Sequence, residues 1–330
     1  MTKSKVNFFE VERAGINTTF QDSGRKNFNH IGIPVSGVMD KRNYILANAI
    51  LKKDLNSPVI EFAYQGPLLK YNGEKIFFVI TGDVTFQIIK GNEKIIVWEP
   101  YKVFQIENND IIDIQSTNKS VYGYLSISED LFLDKTWGSI STNTKARIGS
   151  NNGEKLSNSQ KINIDHKNNN TSLTKLNYIN SKIEFIRAIK ATNFDYFTEK
   201  AKDYFFNSEF KITKLSDRMG MRLEGQNLEN NVTTNIKSEG LVKGVVQVPS
   251  DGNPIIMLAD HGTIGGYPKI ANVISADLDK LVQMTPGSNI KFKEVSLDDA
   301  EKLFKFYNLE TKNLINQISW VYYLKYLDTF

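Results

Sequence analysis

Short apolar runs and alternating hydrophobic and polar positions dominate the first 130 or so residues. In KIFFVITGDVTFQIIKGNEKIIVW, Lys75–Trp98, an apolar run stops at a Gly-Asp turn, and Val84, Phe86 and Ile88 then share one face of an alternating strand. A Gly-Asn turn leads into another short strand, and DIIDI and VYGYLSI continue the series. Evenly spaced short strands of this kind predict an antiparallel sandwich or barrel. Helical spacing is found between Lys41 and Lys53, where Asp40 can cap the start and Ile45, Leu46, Ala49 and Ile50 share a face.

From Ser139 the pattern dissolves into SNNGEKLSNSQKINIDHKNNNTSLTKLNYIN and similar polar sequence, read as a linker or long loop with a short strand at Lys161–Ile164. A second strand-rich block follows. KIEFIRAI opens it, GLVKGVVQVP and PIIMLA form its core, and NIKFKEV alternates cleanly. The loop PSDGNP joins the two core strands as a hairpin. A short helix is expected around Ala276–Met284 and another from Ser296, where SLDD resembles a capping box. In the tail, Leu314, Ile318, Val321 and Tyr322 stand at helical spacing. The expected division is residues 1–138 (first β-barrel domain), 139–182 (Asn- and Ser-rich linker), 183–295 (second β-barrel domain) and 296–330 (helical tail).

Composition narrows the classes. The chain has 330 residues, 24% charged and 40% hydrophobic, with a formal net charge of +4. Basic and acidic residues are interspersed, so no nucleic-acid footprint shows. No apolar run approaches the roughly 20 residues of a membrane helix, and a cytoplasmic protein is expected. With no cysteine, disulfides and thiolate chemistry are excluded, and three scattered histidines, His30, His166 and His261, make no local metal cluster. The phosphate loop, the dinucleotide fingerprint, H-E-x-x-H and the G-x-S-x-G elbow are all absent.

Three stretches carry candidate chemistry. In GINTTFQDSGRKNFNHIGIPVSGVMD, backbone N–H groups near Gly24 and Gly37 could meet an anion with Arg25 gripping a carboxylate; equally, Asp22 and Arg25 could be a structural ion pair. In LSDRMGMRLEG, Asp217 and Arg218 precede a glycine turn. In SEGLVKGVVQVPSDGNPIIMLADHGTIGGYPKI, the hairpin predicts that Glu239, Asp260, His261 and the following glycines gather at one end of a sheet.

Together, TTFQDSGR, GIPVSGVMD, LANAIL, GPLL, SDRMGMRLEG, SEGLVKG, QVPSDGNPI and GGYPKIANVISADL resemble the biotin-dependent carboxyltransferase family. That family includes the C component of 5-oxoprolinase, the KipI antagonist KipA and the second allophanate-hydrolase-like region of urea carboxylase. The resemblance runs from about Gly15 to Val295. It departs at Asn27, where the family has Gly, in DLFLDKTWGS and RAIKATN, and at HGTIGGYP, where RQTTGGYP is usual. It implies a mostly β fold with two cyclophilin-like barrel domains and a few short helices. It also implies the C component of an ATP-dependent 5-oxoprolinase acting on a small amide with A and B components, the latter KipI-like. The alternatives it leaves are a carboxyltransferase using biotin on a separate carrier and a regulatory protein that binds a KipI-like chain. By the same resemblance, Glu239 or Asp260 is the candidate base and His261 a proton shuttle. Arg218 is a carboxylate clamp, Lys269 holds negative charge, and Asp22, Arg25, Ser36, Gln247, Gly265 and Gly266 line the cleft.

Overall fold

The computed structural model describes residues 7–165, 167, 171–178, 183–232 and 235–320. The chain is mostly β. Its first half holds two sheets. One has seven strands in the order Asp130–Leu131, Lys161–Asp165, Asn7–Arg13, Leu68–Asn72, Ile111–Thr117, Val84–Ile89, Ile95–Trp98. The other has five, in the order Thr19–Gln21, Val59–Ala63, Tyr122–Ile127, Ile76–Thr81, Phe104–Ile106. Both contribute to a single core that includes Phe9, Phe20, Phe62, Phe78, Phe86 and Ile114. Val84, Phe86 and Ile88 all point into it, as their alternation requires.

The polar segment after Ser139 is partly woven into this half. Ile140, Leu156, Ile162 and Ile164 are buried in the same core, and Lys161–Asp165 is a full strand beside Asn7–Arg13. Burial of two isoleucines two residues apart outweighs the surrounding asparagines.

The second half is a closed barrel of seven strands: Ile186–Lys190, Lys269–Val273, Val245–Gln247, Ile255–Met257, Gly220–Glu224, Glu209–Ile212, Asn289–Glu294. It closes where Ile186–Lys190 runs parallel to Asn289–Glu294, the parallel pair in an otherwise antiparallel barrel. The PSDGNP hairpin forms as expected, with Val246 opposite Ile256 and Gln247 opposite Ile255. Phe205 stacks on Phe292 of the barrel at 4.5 Å, and both are buried in the same core.

Helix α1, Lys41–Ile50, starts where Asp40 accepts the backbone N–H of Asn43 and ends three residues before Lys53, at a turn where Lys52 takes positive φ. Helix α2 is Glu199–Asn207, and α3 is a shorter Leu278–Val282 within the expected span. Helix α4, Leu297–Asn316, is capped by Ser296, which accepts the N–H of Asp299 and donates its hydroxyl hydrogen to the Asp299 carboxylate. Asp299 therefore does not complete a reciprocal box: its side chain is occupied by the cap's hydroxyl. The helix stops before Ile318, and Ser319–Trp320 pairs with Thr174–Lys175, so the helical spacing of the tail does not extend the helix there. Val321 and Tyr322 lie outside the described residues. No helix among the described residues is long and apolar enough to cross a membrane.

The halves share one further core. Val38, Met39, Tyr44, Val121, Tyr122 and Tyr124 of the first pack with Phe210, Met221, Val246, Leu258 and Val282 of the second.

Candidate functional site

The turn from Asp22 to Asp40 lies between a strand of the five-stranded sheet and α1. It requires glycine at two places. Gly24 and Gly37 both take positive φ, at 87° and 85°, and a Cβ on Gly24 would lie 2.7 Å from the Val35 carbonyl oxygen. Glycine here lets the backbone fold tightly around Asp22. That carboxylate accepts the N–H of Gly24 at 2.8 Å and of Ile140 at 2.9 Å, and the hydroxyls of Ser139 and Ser141 at 2.6 and 2.9 Å. The anion met by the Gly24 N–H is thus the chain's own. Ser36 takes a hydrogen bond from Asn143 at 3.1 Å.

Arg25 is 1% exposed. It makes no hydrogen bond to Asp22; its Nη2 donates to the Ser141 carbonyl, while Nε and Nη1 have no partner among the described residues. Burial lowers its pKa, opposed by the charges of Asp22 and Asp260.

Arg218 crosses between the halves. Its Nε and Nη2 donate to the two oxygens of Asp260 at 2.8 and 3.0 Å, its Nη1 donates to Glu61, and its Nη2 also reaches the Gly37 carbonyl at 2.7 Å. Glu61 accepts the Met39 N–H on its other oxygen at 2.8 Å. Arg218 does clamp carboxylates, but they belong to the protein, and Asp260 is held bidentate. Despite burial, two carboxylates keep the guanidinium firmly charged, with its pKa raised.

His261 is buried, and its Nδ1 lies 2.6 Å from the Gly262 carbonyl oxygen. A carbonyl can only accept, so Nδ1 carries the hydrogen and the neutral ring's lone pair is on Nε2. Burial holds the imidazole pKa below its usual 6.5. The charge of Lys243 acts in the same direction, and that lysine donates to the Met39 carbonyl at 2.8 Å from across the halves.

Glu239 sits elsewhere than Asp260 in the bonding pattern. It pairs with Gly265 in a two-residue bridge between strands, and its carboxylate binds Lys269. The Lys269 hydrogen bond pulls the Glu239 pKa down. Gly265 is needed for space: a Cβ there would lie 2.6 Å from Gln247 Nε2. Gln247 is buried and donates to the Tyr267 carbonyl at 3.2 Å. Gly266 accepts the Ile236 N–H at 2.8 Å.

The predicted residues therefore fall into three bonded groups, the first being Asp22, Arg25 and Ser36 with the segment from Ser139 to Asn143. Arg218, Asp260 and Glu61 form the second, the buried bridge, with Arg25 and His261 within electrostatic reach of Asp260. Glu239, Lys269, Gln247, Gly265 and Gly266 form the third. Sequence reasoning misses Glu61 and Lys243. The signal for Glu61 is a lone carboxylate inside the apolar run VIEFA, which a buried strand tolerates only with a partner. Among the described residues no group of His, Cys, Asp or Glu is placed to hold a metal ion.

Comparison with known proteins agrees with this architecture. The family described as "Carboxyltransferase domain, subdomain A and B" matches residues 31–294. The 5-oxoprolinase C subunit of Haemophilus influenzae is 34% identical over 285 residues, 86% of this chain and 90% of that protein. Its Escherichia coli counterpart is 29% identical over 315 residues, 94% of this chain and 97% of that one. Among solved structures, Kluyveromyces lactis urea carboxylase superposes with a TM-score of 0.84 at 24% identity, covering 96% of this chain and 31% of that chain. The matched span takes in α1, the Glu61–Arg218–Asp260 bridge and the whole barrel, and the chain belongs to the carboxyltransferase domain family, subdomains A and B.

Proposed function

We propose that this chain is the C component of an ATP-dependent 5-oxoprolinase, which with A and B components opens 5-oxo-L-proline to L-glutamate in the cytoplasm. The observation that carries the proposal is the near end-to-end match to two 5-oxoprolinase C components, covering 90% and 97% of their lengths. The substrate is a cyclic amide bearing one carboxylate. Opening it builds negative charge on the amide oxygen and requires a proton acceptor for the nucleophile. Neutral His261, with its lone pair on Nε2, is the acceptor that stays available near neutral pH. Lys269, held by Glu239, supplies positive charge at the third group. No phosphate-binding loop occurs in the sequence, and the Asp22–Gly24 turn holds the chain's own carboxylate, so ATP is assigned to the partner components. Mixing this chain with its A and B partners should release glutamate from 5-oxoproline in an ATP-dependent manner. No release, or full release without this chain, would sink the proposal.

The family match and the urea carboxylase fold support a second reading, carboxyl transfer from carboxybiotin on a separate carrier. It requires bicarbonate and is blocked by avidin, whereas the first reading requires neither biotin nor bicarbonate.

A further inference from the structure

Arg25 carries a positive charge that its surroundings leave unfinished. Nη2 gives one hydrogen to the Ser141 carbonyl; Nε and Nη1 are closed to solvent and have no partner among the described residues. Unmade hydrogen bonds of a buried guanidinium are costly, and native interiors rarely keep them. Asp22 does not complete it, since that carboxylate is engaged by Gly24, Ser139, Ile140 and Ser141. The Tyr44 hydroxyl, within electrostatic reach of Asp22, is likewise buried without a partner among the described residues. Unpaired donors on both side chains therefore await an acceptor in this region.

The geometry of guanidinium specifies that acceptor. Nη2 has two hydrogens, one beside Nε–H and one beside an Nη1 hydrogen. Whichever is given to Ser141, the other completes a planar pair of N–H groups with Nε or Nη1. A planar pair matches a carboxylate in bidentate fashion. Beside the guanidinium stands a hairpin. Asn143 and Ile148 exchange backbone hydrogen bonds at 2.8 and 3.2 Å, its tip at residues 144–147 is exposed, and it is fastened to the turn by Asn143 to Ser36. Gly149 closes against the guanidinium: a Cβ there would lie 2.6 Å from Nη2.

We infer that Arg25 is the binding residue for the substrate's carboxylate, reached when the hairpin around residues 143–148 lifts. The inference rests on the 5-oxoproline reading for the identity of the ligand. The probe pair is 5-oxo-L-proline and 2-pyrrolidinone, the same ring without the carboxylate. Calorimetry on the full chain, and on its assembly with the A and B components, should show saturable 5-oxoproline binding and 2-pyrrolidinone at least tenfold weaker. Arg25→Ala should bring 5-oxoproline down to the level of 2-pyrrolidinone and leave 2-pyrrolidinone unchanged. Arg25→Lys, which keeps the charge without the planar fork, should fall between. Equal binding of the two ligands, no saturable 5-oxoproline binding to chain or assembly, or unchanged affinity in both variants overturns the inference. The ligand comparison needs no variant, so a variant that fails to fold does not blunt it. The two ideas fail separately. An active assembly whose KM ignores Arg25 substitution sinks only the Arg25 assignment. Arg25-dependent binding without glutamate release sinks only the 5-oxoprolinase reading.

Discussion

Arg218 shows what the sequence could and could not reveal about single residues. The family resemblance marks Arg218 as a carboxylate clamp; that Asp260 and Glu61 are the carboxylates it holds is not legible, because Glu61 is 157 positions away. Such a pairing depends on how two sheets meet, and no local pattern encodes it. The consequence for stability is large. Removing one partner of a buried, hydrogen-bonded charge group strands the others, at a typical cost of about 3–5 kcal/mol. Arg218→Ala should therefore lower unfolding free energy by about that much in urea titration, since it leaves Glu61 and Asp260 buried and unpaired. A loss below about 1 kcal/mol would mean that the bridge behaves like an exposed pair. His261 leads to a different measurement. Its pKa is held below 6.5 by burial, so as a proton acceptor it would remain unprotonated into mildly acidic solution. The acid limb of the pH–activity profile for the assembled enzyme should fall below pH 6.5. His261→Gln should remove that limb along with most of the rate, by about 100-fold or more if general-base catalysis is lost. A limb unchanged in the variant would exclude His261 from the proton transfer.

Individual elements are more legible than their partners. The PSDGNP hairpin, the alternating strand at Val84–Ile89 and the caps at Asp40 and Ser296 are local features, and each forms where the pattern puts it. The parallel closure of the barrel and the strand at Ser319–Trp320 depend on distant partners, and periodicity does not register them. Helix α1 illustrates the difference. Its cap is readable in the sequence, but the carboxylate of Asp279 also arrives from α3 to accept the N–H groups of Lys41 and Arg42 at 2.8 and 3.0 Å. Two carboxylates at one buried helix end have a titration cost. Burial, with the charge of Asp279 adding to it, pushes the Asp40 carboxyl up to about 7 from 3.8. The folded chain thus holds a proton that the unfolded chain releases. This group's contribution is intact below the unfolded value and is lost as pH rises through about 7. Urea titrations between pH 5 and 8 should show stability declining with pH from this group, and Asp40→Asn should flatten that decline. A steeper decline in the variant would contradict the assignment.

At the scale of the molecule, the two halves visible in the sequence are joined by more than a linker. Met39, Tyr122 and Tyr124 of the first half share a core with Met221, Leu258 and Val282 of the second, the Arg218 bridge spans the same junction, and α4 returns to hold α1. There Arg42 lies 4.2 Å over the Tyr307 ring and bonds Thr311 and the Tyr307 carbonyl at 3.1 and 3.2 Å. The first half has a core of its own, but the barrel core is continued by first-half aromatic residues and the charge triad is buried at the same junction, so the chain should unfold as one unit. The placement of tryptophan makes this measurable. Trp98 and Trp137 lie in the first half, and residues 183–319 contain none, so fluorescence reports chiefly on the first half while far-ultraviolet circular dichroism reports on both. The two signals should trace one coincident urea transition, and Arg218→Ala should move both midpoints together. Separate midpoints, or a shift confined to one signal, would show that each half carries its own stability and that the junction is a docking contact between independent units.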